Sequence, residues 1–158
     1  MANTQAMTTS FMGELLTATH NFGVAPTRGT SAVDTFKAAL YLTTATLNAS
    51  TTAYSATGEV SGTGYTAGGV AVTMGTVPTA TNSSTTAGVA FVTPSANITY
   101  TTVTLTTAFD AVLIYNSTQS NKAVSVHTFG SQTITAGTFA LTMPTNSTSL
   151  ALIRLATT

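Results

Sequence analysis

From Thr35 onward the apolar residues of this chain recur at every second position, and that period is what most restricts its fold. Phe36, Ala38, Leu40 and Leu42 alternate with Lys37, Ala39 and Tyr41, and Val70, Val72 and Met74 alternate after the Gly68-Gly69 pair. A period of two places the apolar set on one face of an extended strand. Further apolar stretches lie at Val89–Val92, Ile98–Leu105, Ala111–Tyr115, Val124–Phe129, Phe139–Met143 and Leu150–Leu155. Short strands at intervals of roughly 8 to 14 residues predict an all-β, antiparallel β-sandwich or jelly-roll-like domain. Ala111–Tyr115 is apolar on both faces, as in a central strand covered on each side.

The turns are legible too. Tyr115–Lys122 is a run of polar turn formers between two apolar alternations and reads as a hairpin, as does Gly130–Gly137 between Phe129 and Phe139. Gly58, Gly62 and Gly64 suggest turns or bulges around a short edge strand. Thr43–Ser55 reads as a long loop, and Thr76–Thr86 as a surface loop available for contact.

The first residues follow another rule. Phe11, Leu15, Leu16 and Phe22 recur at spacings near three and four, which predicts a short helix or arm from about Ser10 to Thr19, with Ser10 as N-cap and Glu14 in the first turn. Gly23, Pro26 and Gly29 then read as a connection. The expected division is residues 1–30 as N-terminal arm or helix plus connection, and residues 31–158 as the β-sandwich, within one domain overall.

Strands of this kind need a hydrated exterior, and charge does not supply it. Only 5% of the residues are charged, against roughly 25% in an ordinary soluble domain. Thr, about a quarter of the chain, takes the place of the charges, since its branched carbon favours extended backbone and its hydroxyl stays in water. A hydroxyl surface with zero net charge repels neighbours weakly, which suits a component of an assembly.

The same composition excludes classes of function. There is no Lys/Arg cluster to bind phosphates, so no nucleic-acid partner is expected. No run of about 18 apolar residues is present to span a membrane, and the start lacks the pattern of a secretory signal. Cysteine is absent, which removes disulfides and thiolate metal sites. Asn-x-Ser/Thr sequons at Asn48, Asn82, Asn97, Asn116 and Asn146 are the chance product of so much Thr and Ser.

The groups able to hold or pass charge are Glu14, Asp34, Glu59, Asp110, Arg28, Lys37, Lys122, Arg154, His20 and His127. No two carboxylates are close in sequence and the two histidines lack metal-ligand spacing. No catalytic, metal, cofactor or small-molecule substrate site is expected, and the chain reads as a non-enzyme. His127 reads as a half-exposed strand histidine, His20 as a cap on the helix dipole, and Asp110 with Lys122 as an ion pair across a hairpin. The tyrosines 41, 54, 65, 100 and 115 read as core-edge rings with their hydroxyls at water.

Several phrases resemble a family of small structural proteins of tailed-phage virions. They are Asp34–Tyr41, Thr52–Tyr54 through Gly58–Gly69, Ala111–Ala123, and Ala151–Leu155. The resemblance runs from about residue 11 to the end. It implies a place on the capsid exterior as a decoration or cement protein, where similar β domains sit as trimers at local threefold axes. The implied partners are further copies of the chain and the major capsid protein, after synthesis in the bacterial host cytoplasm. The alternative is a tail-associated structural or receptor/glycan-binding module. Phe11, Leu15 and Phe22 are the expected subunit contacts, the alternative being that this segment packs on its own sheet; as a contact arm, its removal (residues 1–22) is expected to abolish assembly and leave the sheet folded.

Overall fold

A computed structural model describes residues 2–16, 18–22, 33–74, 78–81 and 88–156 of the chain. Among these the elements run β1 (Ala6–Met7), α1 (Thr9–Leu16), β2 (Phe36–Leu42), β3 (Val70–Val72), β4 (Thr79–Thr81), β5 (Val89–Val92), β6 (Ile98–Asn116), β7 (Lys122–Leu141) and β8 (Ile153–Ala156). They form a five-stranded sheet in the order β1-β7-β6-β2-β3 and a three-stranded sheet in the order β4-β5-β8. Every pairing is antiparallel, and the protein is an all-β fold.

The larger sheet is covered on both faces, which is why β2 and the end of β6 carry apolar residues at consecutive positions. On one face Phe36, Ala38, Leu40, Val112 and Ile114 meet Phe11, Phe22, and the smaller sheet through Val92 and Ile153. On the other, Ala39, Tyr41, Leu113, Tyr115 and Val126 lie under the 43–58 loop, which contributes Ala45, Leu47 and Tyr54. Each fully buried Val, Leu, Ile or Phe contributes roughly 1.5–3 kcal/mol relative to exposure, so this double covering concentrates stability in the centre of the sheet.

Two expected pairs of strands are each one strand. Ile98–Leu105 and Ala111–Tyr115 are both parts of β6, and Val124–Phe129 and Phe139–Met143 fall along β7 or just past its end. The Gly130–Gly137 hairpin is therefore corrected to the interior of a strand. The β6–β7 ladder absorbs its irregular residues in register shifts between Tyr100 and Val103, Val103 and Leu105, Leu105 and Phe109, and Phe109 and Ala111. Each inserted residue breaks the period of two, so the sequence reads as two strands with a gap. Thr102 (φ 54°) and Ala136 (φ 45°) take left-handed backbone at these bulges. The hairpin expected at Tyr115–Lys122 is present, closed by Ser120 (φ 53°) and Asn121 (φ 58°).

The glycine-rich stretch 58–69 continues the sheet where β2 stops. Glu59 bridges to Tyr41, and Thr63 bridges to Thr104 on β6. The approach is too close for side chains: a Cβ on Gly62 would lie 2.0 Å from the Thr104 carbonyl oxygen, and one on Gly69 (φ +73°) 1.7 Å from that of Ala38. These glycines are required by backbone contact rather than by a turn alone.

The N-terminal segment belongs to the same packing. Helix α1 starts and ends earlier than expected, and Ser10, the expected N-cap, sits one residue inside it with a buried Oγ that makes no hydrogen bond among the described residues. Thr8 precedes the helix instead. Its N–H donates to the Val124 carbonyl (3.1 Å) and its hydroxyl to that of Ala123 (3.2 Å), hanging the helix on β7. Within the expected 76–86 surface loop, Thr79–Thr81 is the exposed edge strand β4 paired with β5, and the remaining residues other than Pro78 lie outside those described. Gly23, Pro26 and Gly29 also lie outside them.

Candidate functional site

The charged residues decide what chemistry the chain can carry, and the fold directs all four carboxylates to its own donors. Glu14, on α1, accepts from Lys122 Nζ (2.5 Å) and His20 Nε2 (2.7 Å). Burial pushes the carboxyl's pKa up, but the hydrogen bonds from Lys122 and His20 outweigh this and hold it below its usual range. Asp34 is buried and accepts from the Asn21 backbone N–H (2.9 Å), Asn116 Nδ2 (2.7 Å) and Gln119 Nε2 (3.2 Å).

Asn116 joins these two clusters. Its Oδ1 accepts from the N–H groups of Thr118 and Gln119, which fixes the amide orientation and turns Nδ2 toward Asp34 and His20 Nδ1 (3.1 Å). His20 Nδ1 is then an acceptor, and its proton is on Nε2, where it donates to Glu14. His20 is thus a buried bridge and not a cap on the helix dipole. The cluster fastens the N-terminal segment to the 117–121 turn.

Asp110 and Lys122 are not paired. The register matches Lys122 with Asn116, at the turn, while Asp110 lies farther along β6, between Phe109, paired with Gln132, and Ala111, paired with Thr128. There it accepts from Asn3 Nδ2 (2.7 Å), whose Oδ1 receives the Leu47 N–H.

Glu59 is the centre of a tyrosine network that the sequence did not reveal. Oε2 accepts from the Tyr54 hydroxyl (2.6 Å), and Oε1 from the Tyr65 hydroxyl (2.7 Å) and the Gly68 N–H (2.8 Å). Tyr65 also receives the Leu40 N–H, Tyr100 donates to the Ala38 carbonyl, and Tyr115 donates to that of Gly68. Tyr41 donates to the Ser55 carbonyl, so all five hydroxyls bond inside the protein, which corrects their expected exposure to water. Burial pushes Tyr41 up to about 12 and raises Tyr65 further, with the Glu59 charge adding to the effect. These phenols stay protonated and act as donors, not as acids.

Two concavities are lined by described residues. An open cleft of about 750 Å³ lies on the 43–58 loop, walled by Thr44, Thr46, Asn48, Thr52 and Thr57. A smaller one, about 290 Å³, is bounded by Met7, His127, Leu152 and Arg154. His127 is half-buried there, 2.9 Å from the Ser125 hydroxyl, and burial pushes it down to about 4. Among the described residues no group of three or more His, Asp or Glu side chains is placed to hold a metal ion.

Phe11 and Phe22, expected at a subunit contact, are 0% and 7% exposed and stack in the protein's own core, and Leu15 packs partly buried beside them. Phe22 stacks on Phe36 with ring centroids 4.4 Å apart. Their apolar surface is consumed within the fold, which removes the basis for an exposed arm.

No family, no curated protein and no solved structure matches this chain. The tyrosine network was missed because Tyr54, Glu59, Tyr65 and Gly68 meet through loop geometry rather than strand period. The one available signal was Glu59 as the lone charge within a glycine-rich, tyrosine-flanked stretch.

Proposed function

We propose that this chain is a structural subunit of a tailed-phage virion, a decoration or cement protein that binds the outer capsid surface and stabilises it through subunit contacts. One observation carries the reading: all four carboxylates are hydrogen-bonded within the chain, leaving an exterior of hydroxyls and methyls. Such a surface loses little solvation when covered, because few charges have to be desolvated. A non-enzymatic role is part of this reading, and the same placement supports it, since a general acid or base must be free to reach a substrate. The resemblance in the sequence supplies the virion context.

The test is cosedimentation of the purified chain with undecorated shells of a tailed phage. Saturable binding, with the shells made more resistant to heat, is expected. Binding to host cells or tails with none to shells would overturn it and favour the tail-associated reading, for which the hydroxyl-walled cleft on the 43–58 loop is the supporting feature.

A further inference from the structure

Among the described residues, the second half of β7 is an open edge. In the larger sheet β7 lies between β6 and β1, but β1 is two residues long and reaches only Ser125 and Val126. Past that point, over residues 130–141, β7 is paired with β6 alone, and no other backbone partner exists among the described residues. At ~3.3 Å per residue this edge is roughly 40 Å long. Gly130, Ser131, Gln132, Thr133, Thr135 and Ala136 on it are exposed.

Natural sheets guard such edges with charges, prolines, covering elements or bulges. From Thr128 to Thr142 this chain has no Asp, Glu, Lys, Arg or Pro, and bulging is the one guard it retains. A strand edge left in this state joins another strand, because each unpaired N–H and C=O gains a partner there.

The geometry points to a second copy of this chain as the occupant, with the two β7 edges pairing antiparallel about a twofold axis. The edge strands β1, β3, β4 and β8 are two to four residues long, and the first half of β6, which β2 does not reach, is interrupted by the glycine-rich stretch that bridges to it at Thr104, so none of them matches this edge. A twofold sets an edge against itself in the antiparallel sense and makes the pairing self-complementary. Only the side chains near the axis meet their own kind, so an edge charge there would meet a like charge. Here Thr, Ser, Gln, Ala and Gly meet instead, and Thr–Thr pairs are favourable. The paired dimer differs from the threefold trimer that the resemblance implies.

The pairing needs only the chain itself, so its test is separate from that of capsid binding. Analytical ultracentrifugation of the full chain is expected to give twice the 16.0 kDa protomer mass. The double variant T133K/T135K changes two exposed edge positions and is expected to raise the dimer Kd about tenfold or more. Far-UV circular dichroism and the melting temperature check that it remains folded.

A cysteine scan gives an independent reading, because the chain has no cysteine of its own. Single variants from Ser131 to Thr138 are oxidised, and those near the twofold are expected to cross-link into dimers, since a disulfide requires Cα atoms about 4.4–6.8 Å apart. Thr81→Cys, on the β4 edge, is the control and is expected to stay monomeric on denaturing gels. A monomer, a trimer, or an oligomer indifferent to T133K/T135K that cross-links through position 81 overturns the proposal.

Discussion

Replacing Phe11 by Ala separates an arm that belongs to the core from one held out for a neighbour. The ring is 0% exposed and makes edge contacts with His20 (centroids 5.0 Å) and Phe22 (5.8 Å). Truncating a buried Phe to Ala costs about 3–5 kcal/mol, the transfer of the ring plus the cavity it leaves. A domain has only about 5–15 kcal/mol in total, so about a fifth or more of the stability is at stake. At ~2–4 °C per kcal/mol for a chain of this size, Tm should fall by roughly 6–20 °C. Met12 on the same helix is 48% exposed, and Met12→Ala should change stability by no more than about 0.5 kcal/mol. Thermal melts of both variants at one fixed protein concentration, to hold any self-association constant, provide the comparison. The reasoning is refuted if Phe11→Ala melts with Met12→Ala and the wild type while self-association or capsid binding is lost.

Glu59→Ala removes the acceptor of three hydrogen bonds and should destabilise by about 3 kcal/mol in urea titration, whereas Glu59→Gln, which keeps a carbonyl at the site, should lose about 1 kcal/mol. Gly69→Ala sets a Cβ against the Ala38 carbonyl at a positive φ and should cost more than about 3 kcal/mol, read as a lowered urea midpoint or loss of soluble protein. His127 is held neutral by burial, at about 4 rather than 6.5, so the unfolded chain takes up a proton in this window that the native state refuses. Its contribution is therefore full above pH 6.5 and is lost as pH falls toward 4, by at most about 3 kcal/mol and less because the ring is half-buried. Urea melts across that range should show a flatter profile for His127→Gln than for the wild type.

The alternation in the sequence was enough to locate the all-β fold, β2, β3, β5, β8 and the turn before Lys122, because there the strands keep a strict period of two or end at clear turn formers. It failed along β6 and β7. Bulges around Val103 and Phe109 insert residues that reverse the facing pattern, and Gly130 and Gly137 resemble turn glycines although they lie within a strand. It failed again at the N-terminus for a different reason. A stripe of Phe11, Leu15 and Phe22 shows that something apolar must cover the segment, but not whether the cover is its own sheet or another subunit. The pairing of Asp110 with Lys122 failed on register, which a period of two leaves open. The carboxylate partners were invisible because most of them are Asn, Gln, Tyr and backbone N–H groups, which carry no charge pattern to read.

Those partners show why a chain can keep its fold with so few charges. Each carboxylate holds a segment that the β ladders do not pair. Glu14 ties α1 to the first residue of β7, and Asp34 ties the segment before β2 to the 117–121 turn. Glu59 gathers the loops on either side of the glycine stretch, and Asp110 holds the chain start through Asn3. A charge-assisted hydrogen bond is about twice as strong as a neutral one, so one carboxylate with two or three donors fastens an irregular segment that no strand pairs. Placing the acidic groups inside in this way strips the exterior of like-charge repulsion. The arrangement that secures the loops is thus also the one that leaves the β7 edge free to meet its own copy.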